Sequence, residues 1–254
     1  MDDSSVFDVE FLTFLKTFVD VHHSIYPTVP PQGIYFEALV ERTFRAIHKP
    51  LTVITSGGVN QPRYDVQIEG RRISLKTETG LGTKRSLINI TKLCTAEREP
   101  WDAETLKTRA IEHLGRYDLI LMLRAIWSAG RVYYQLVDIP ITLLRLLAQC
   151  EPVPVGRRVG RRSLGADVFY EGHLAFHVHF DGSDGKCQIR GLRVEDCILL
   201  LEWEKLREPS ALPVITETPL IAAALIIHIA RICERRSNNN AAAGCDERSS
   251  TSDR

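Results

Sequence analysis

Two short segments with alternating side chains, joined by a tight link, constrain this chain more than any other feature. In PRYDVQIEGRRISLKTETG (62–80), apolar residues recur at every second position on both sides of Glu69-Gly70-Arg71. Successive side chains of a strand point to opposite faces, and so short a link predicts a β-hairpin. If the apolar faces share a core, the opposite face gathers four polar side chains: Asp65, Ser74, Lys76 and Glu78.

This polar patch has the composition that metal-assisted phosphodiester hydrolysis requires. Carboxylate oxygens are the ligands that Mg²⁺ prefers, and the ion keeps other positions for water and phosphate. A lysine beside the metal can orient the attacking water and offset developing negative charge. The spacing alone leaves open a second interpretation, in which the patch is the solvated face of an ordinary hairpin.

A glutamate on the helix predicted over 32–47 strengthens the first interpretation. At 100° per residue, Glu37 lies about 20° from Phe44, at the edge of the apolar stripe. A carboxylate at the margin of a buried face usually has a partner, because an unpaired buried charge is costly. The alternative is a surface charge row formed by Glu37, Glu41 and Arg45.

The order of predicted elements indicates an α/β or α+β domain of about 205 residues with a C-terminal appendage. The chain has 254 residues, with 32 basic and 32 acidic side chains, so no global basic charge indicates a nucleic-acid partner. The predicted helices cover 6–19, 32–47, 101–114 and a short stretch after Pro140. The predicted strands are 51–55, 64–69, 72–78, 87–91, 117–126, 132–139 and four more within 152–203.

Several motifs make the sequence recognisable. Gly33–Glu37, Asp65 and Ser74–Lys76 resemble the core of the PD-(D/E)xK nuclease superfamily. A longer series is similar to SmaI-like type II restriction endonucleases and holds its order over roughly residues 33–203. It consists of Asp65–Ile68, Leu75–Glu78, Tyr133–Pro140, Phe180–Gly182, Gln188-Ile189 and Glu195–Ile198.

The resemblance implies a restriction-endonuclease-like fold, with a mixed β-sheet flanked by helices and a C-terminal β-rich part. It gives one nuclease domain over 1–208, with a catalytic core at about 32–140 and a DNA-recognition part at about 150–205. An added apolar helix is expected within 209–236 and a disordered tail over 237–254. The resemblance assigns neither of these two segments a function.

The resemblance also implies roles for the residues of the polar patch. The expected catalytic residues are Glu37, Asp65, Lys76 and Glu78. Asp65, Glu37 and the backbone carbonyl of Leu75 would bind the metal, and Lys76 would orient the water. The family's usual acid, two residues before the lysine, is Ser74 here. Glu37 is the first choice to replace that acid and Glu78 is the second.

The expected DNA contacts come from three basic segments. The loop GRRVGRRSLG (156–165) has the densest positive charge, and GLGTKRS (80–86) follows the predicted catalytic strand. The third segment is the predicted strand on which Lys186, Gln188 and Arg190 alternate on one face. Arginine can neutralise phosphate or read guanine. The candidate residues are Lys84, Arg85, Arg157, Arg158, Arg161, Arg162, Lys186, Gln188 and Arg190.

The function expected from the resemblance is Mg²⁺-dependent cleavage of both DNA strands at a short palindrome, with a G/C-only hexanucleotide as one candidate. A palindrome implies a homodimer. The resemblance further implies a cognate methyltransferase as functional partner, a bacterial cytoplasmic location and no membrane association. The alternatives are a structure-selective repair or junction nuclease of the same fold, an inactive DNA-binding protein suggested by Ser74, and a metabolic α/β protein with a chance charge patch.

Overall fold

The computed structural model describes residues 6–53, 65–95, 100–156 and 161–207, with only the backbone for 51–53. The helices are α1 (Val9–Ile25), α2 (Ile34–Ala46), α3 (Ala103–Leu114) and α4 (Ile141–Leu144), with 3₁₀ segments at Arg145–Gln149 and Val194–Asp196. The strands are β1 (Leu51–Val53), β2 (Val66–Ile68), β3 (Arg71–Glu78), β4 (Leu87–Thr95), β5 (Leu119–Ser128), β6 (Arg131–Pro140), β7 (Val153–Val155), β8 (Ser163–Tyr170), β9 (His173–Phe180), β10 (Lys186–Arg193) and β11 (Ile198–Leu206).

The first sheet has six strands in the order β1-β2-β3-β5-β6-β11. Strands β3 and β5 pair in parallel and the other neighbours are antiparallel. Helices α1 and α2 bury their apolar stripes against one face of this sheet. Their contribution to that core includes Phe11, Leu15, Val19, Phe36, Val40 and Phe44.

The second sheet has five antiparallel strands in the order β4-β10-β9-β8-β7. One of its faces shares a core with α3 and with the other face of the first sheet. Side chains from both sheets meet there, among them Ile120, Met122, Val137, Val178, Phe180 and Ile189. The predicted α+β class, with mixed sheet and flanking helices, is therefore confirmed.

The hairpin predicted from the alternating segments is present as β2 and β3. Ile68 pairs with Arg71 across a two-residue turn, and Glu69 and Gly70 both have positive φ, at 49° and 81°. Two left-handed residues form the turn type whose twist matches that of paired strands. The turn fixes the register, and with it the face on which each side chain of β3 lies.

The boundaries of some elements differ from the sequence prediction. Helix α1 begins at Val9 rather than at residue 6, because Asp8 caps it by accepting a hydrogen bond from the Phe11 N–H at 2.8 Å. Strand β7 was not predicted, since Val-Pro-Val gives no alternation. The predicted helix within 209–236 and the tail at 237–254 lie outside the described residues. No helix of the described part is long and apolar enough to cross a membrane.

Candidate active site

Asp65 stands immediately before β2 and is held against β3. Its Oδ2 accepts hydrogen bonds from the Leu75 N–H at 2.6 Å and from the Ser74 hydroxyl at 3.2 Å. Its own N–H donates to the Ile73 carbonyl at 2.9 Å. Both side-chain bonds reach the same oxygen, which leaves Oδ1 as the Asp65 atom best placed to bind a further group.

Ser74, which departs from the family's acidic pattern, is almost completely buried, with 2% of its surface exposed. Its hydroxyl is one of the two donors to Asp65. An acid at this position would bring a second buried negative charge against Asp65, whereas serine supplies a hydrogen bond. The substitution therefore changes residue 74 from a potential ligand into a group that orients the neighbouring carboxylate.

Glu37 lies in the first turn of α2, and its electrostatic surroundings connect it to Asp65 and Lys76. Burial raises the pKa of the Glu37 carboxyl, the negative charge of Asp65 raises it further, and the positive charge of Lys76 lowers it. The negative charge of Asp65 acts on Glu37 as a repulsion, and a bound cation would remove that repulsion. Glu37, Asp65 and Lys76 thus form one electrostatic group, and their assignment to one catalytic site stays a prediction.

The positive charge of Lys76 also acts on a histidine of α3. Burial lowers the pKa of His113 on α3 to about 4, with contributions from the positive charges of Arg116 and Lys76. His113 is therefore neutral at pH 7 and is unsuited to hold a proton beside the lysine. Lys76 is a cation whose charge acts on Glu37, the carboxyl on which Asp65 also acts.

The donor set suits a metal that keeps much of its own water. The residues described here contain no group of three or more His, Cys, Asp or Glu side chains arranged around a metal position. The available donors are the carboxylates of Glu37 and Asp65 and the carbonyl of Leu75. Two carboxylates with remaining positions for water and phosphate match the coordination habit of Mg²⁺, so the residues fit that ion.

Glu78, the second choice for the missing ligand, requires a correction. Its Oε2 accepts from Arg124 Nε at 2.8 Å, and its Oε1 accepts from the Asn89 N–H at 3.1 Å and from Asn89 Nδ2 at 2.9 Å. Strand alternation places Glu78 on the same face as Lys76, but its register partner on β5 is Arg124. Both carboxylate oxygens are engaged, so the structure does not bring Glu78 into the group around Asp65.

Arg124 is the central residue that the sequence analysis missed. It is fully buried and donates to Glu78, to Gln135 and to the backbone carbonyls of the segment that follows β3. The carbonyl acceptors are those of Lys84, Arg85 and Leu87. A single charge inside the apolar run LILMLRAI was the available signal, because a buried arginine has to be paired.

The polar contacts of Arg124 extend across four strands. Glu78, Arg124, Gln135 and Glu202 are register partners on β3, β5, β6 and β11. Gln135 Nε2 donates to Glu202 Oε2 at 2.6 Å, and Glu202 in turn forms an ion pair with Arg85. We call these four residues together with Arg85 the cross-strand ladder.

The comparisons with known proteins assign the family. The sequence model of the SmaI family, which is described as type II site-specific deoxyribonuclease, matches residues 4–205 of this chain. The chain belongs to this family. It is also 30% identical over 152 residues to a protein named type II restriction enzyme SmaI from Serratia marcescens. That match covers 58% of this chain and 62% of the Serratia enzyme, and no solved structure matches the chain.

Within this SmaI-family chain, the predicted DNA contacts after β3 differ in availability. Arg85 pairs with Glu202, and its guanidinium lies 5.1 Å from the ring centroid of Tyr133. Lys84 has an exposed side chain. The carbonyls of both residues are held by Arg124. Lys84 is therefore better placed than Arg85 to meet a phosphate.

The predicted basic loop is described only in part. Arg157 and Arg158 lie outside the described residues. The Arg161 guanidinium lies 3.7 Å from the ring centroid of Trp101, and Trp101 Nε1 donates to the Arg162 carbonyl at 2.5 Å. A Cβ on Gly182 would lie 2.2 Å from the Arg161 carbonyl oxygen, so the family motif Phe180–Gly182 needs glycine at its last position. The end of the loop thus contacts Trp101, while the Arg161 and Arg162 side chains stay exposed.

The three candidates on β10 share one face, as predicted. Lys186, Gln188 and Arg190 are partly or fully exposed, while Cys187 and Ile189 between them are buried in the core. Lys186 forms an ion pair with Asp184 at 2.6 Å in the turn before β10. Gln188 and Arg190 contact each other and project from the sheet.

Proposed function

We propose that this protein is a Mg²⁺-dependent type II restriction endonuclease that cuts both strands of duplex DNA at a short palindromic site. The observation that carries the proposal is the group formed by Glu37, Asp65 and Lys76 in a chain of the SmaI family. A six-base-pair site containing only G and C is the form of palindrome we propose, from the resemblance to SmaI-like enzymes.

The chain's own residues have separable roles in this mechanism. Asp65 and Glu37 would hold the metal, with the Leu75 carbonyl as a further ligand. The bound ion would polarise the phosphoryl oxygen and lower the pKa of a water. Ser74 and the Leu75 N–H fix the rotamer of Asp65. Lys76 would orient the attacking water for in-line displacement that leaves a 5′-phosphate.

The same proposal includes the organisation and partners of the protein. The nuclease domain would occupy 1–208, with the catalytic core at about 32–140 and the recognition part at about 150–205. A two-fold symmetric homodimer would present equivalent sites to the two strands of a palindrome. A cognate methyltransferase would protect the host DNA in the same bacterial cytoplasm.

The first experiment is cleavage of long, unmethylated phage DNA with Mg²⁺ and, separately, with EDTA. We expect discrete fragments only with Mg²⁺, and mapping their ends gives the target and the cleavage position. A smear would favour a repair or non-specific nuclease of the same fold. A retained gel shift without cutting would instead favour an inactive DNA-binding protein.

Lys76→Ala tests the proposed catalytic role of the lysine. We expect kcat to fall by about 10²–10⁴-fold, because the water loses the group that orients it. DNA affinity, measured in Ca²⁺ by gel shift, should change little. Arg131→Ala is the matched control, since it removes an exposed cation paired with Glu204 and outside the proposed site. Cutting by Lys76→Ala at the unchanged rate would contradict the mechanism.

A further inference from the structure

The second sheet has one face in the core and one polar face formed by the hairpin β9–β10. Gln188 and Arg190 on β10 are register partners of His179 and His177 on β9, so all four side chains lie on the face opposite the buried Ile189. We call these four side chains the polar face of the second sheet. These two strands lie between β4 and β8, so the face belongs to a sheet of five strands, and some DNA-binding proteins read a groove with side chains on strands of a β-sheet.

One contact on this face gives an arginine a fixed orientation. Arg190 Nε and Nη2 donate to the same acceptor, Gln188 Oε1, at 3.0 and 2.6 Å. This contact occupies the side edge of the guanidinium. The end edge, made of Nη1 and the second N–H of Nη2, keeps two parallel donors. Guanine presents two matching acceptors, O6 and N7, in the major groove.

The other charged groups near this face are already paired with each other. His177 Nδ1 lies 2.5 Å from Asp167 Oδ1 on β8, and Lys186 pairs with Asp184. Arg190 differs from these because the side chain that accepts its hydrogen bonds is the neutral amide of Gln188, so this contact does not compensate its positive charge. The neutral Gln188 amide orients the guanidinium without neutralising it, so the positive charge stays available to an electronegative partner.

We propose that the polar face of the second sheet docks in the major groove, where Arg190 reads a guanine and Gln188 is a positioning residue for Arg190. This inference rests on the proposed restriction activity and deepens it. It divides the three β10 candidates by role: Arg190 contacts the base, Gln188 acts through Arg190, and Lys186 stabilises the turn. Discrimination at one base pair then depends on both Arg190 and Gln188.

The test uses the full chain and the target mapped with the wild-type protein. We would measure kcat/KM on a duplex with the mapped site and on duplexes in which each G·C pair is replaced in turn. Arg190→Ala should lower kcat/KM on the intact site by roughly 5- to 150-fold, the range that one bidentate base contact supports. It should also remove discrimination at one pair and its symmetry mate, whereas the control Arg131→Ala should leave all ratios unchanged.

The positioning role of Gln188 has its own readout. Gln188→Ala should weaken discrimination at the same base pair as Arg190→Ala, by a smaller factor. Gln188→Glu should restore part of that discrimination relative to Gln188→Ala, because a carboxylate accepts the same two donors while its charge offsets that of Arg190. Ratios between sites are compared, so a uniform effect of the added charge cancels.

Three results would overturn the inference while leaving the nuclease proposal intact. They are an equal loss of kcat/KM at every site for Arg190→Ala, no loss at all, or a Gln188→Ala effect at a different base pair. Wild-type protein that makes no discrete cuts would overturn the proposed function and this inference together, so the two failures are distinguishable.

Discussion

Ser74 is the residue at which this chain departs from the acidic pattern of the PD-(D/E)xK nucleases that it resembles, and its contact with Asp65 gives the departure a physical meaning. The hydroxyl donates to Asp65 Oδ2 from an almost completely buried position. Loss of a partner that orients a metal-binding group typically costs about 10–100-fold in metal affinity or activity. A serine here is thus compatible with a working site.

Ser74→Ala tests this contact. Without the hydroxyl, Asp65 keeps only the Leu75 N–H and loses part of its orientation. We expect the Mg²⁺ concentration for half-maximal cleavage to rise by about 10-fold or more, as for other outer-shell partners. A Mg²⁺ titration of the cleavage rate measures this half-maximal concentration. Ser128→Ala, a change at an exposed serine, is the control. An unchanged Mg²⁺ requirement would mean that the hydrogen bond has no functional role.

A Mg²⁺ titration of the cleavage rate also distinguishes the role of Glu37 from that of Glu78. Glu37→Gln removes a proposed ligand, so the Mg²⁺ requirement should rise by more than the about 10–100-fold typical of outer-shell partners. Glu78→Gln breaks the pair with Arg124 and should lower thermal stability, with the Mg²⁺ requirement nearly unchanged. The opposite pattern would restore Glu78 as the metal ligand.

At the scale of elements, the sequence predicted what depends on local pattern. Alternation predicted β2 and β3 with their hairpin, and helical spacing placed Glu37 at the edge of the apolar stripe of α2. The cross-strand ladder was not predictable in this way, because its members come from four strands whose order depends on long-range pairing. Arg124 was visible as a lone charge, but its partner Glu78 could be identified only once β3 and β5 were known to be neighbours.

Arg124 connects β3, β5 and β6 to the segment after β3, so its loss should destabilise several elements together. Arg124→Met leaves the Glu78 carboxylate buried without its cation, and we expect the free energy of unfolding to fall by about 3–5 kcal/mol. The double variant Arg124→Met/Glu78→Met should recover part of this loss, because it removes both charges. Urea denaturation measures both variants. A double variant no more stable than Arg124→Met would show that the carbonyl contacts of Arg124 carry the stabilisation.

At the scale of the whole molecule, one carboxyl makes stability depend on pH. Burial raises the pKa of Asp138 to about 6, and the positive charge of Arg71 offsets part of that rise. Its Oδ1 has no hydrogen-bond partner within the described part of the chain. The Asp138 carboxyl therefore binds its proton more tightly in the folded state than in the unfolded state. Consequently, the contribution of Asp138 to stability is most favourable below about pH 4 and declines as pH rises through about 6.

Asp138→Asn removes this titration while it keeps the shape of the side chain. At pH 8 the wild-type protein holds a desolvated negative charge, so the variant should unfold with a free energy higher by about 1–3 kcal/mol, a range that allows for partial screening by solvent. At pH 4 the wild-type carboxyl is protonated in the folded state and the difference should nearly vanish. His113, whose pKa is lowered, contributes the opposite slope between about pH 4 and 6.5 in both proteins and cancels in the difference. Urea denaturation at pH 4, 6 and 8 measures the difference in unfolding free energy between the variant and the wild-type protein. A difference independent of pH would mean that Asp138 does not titrate in this range.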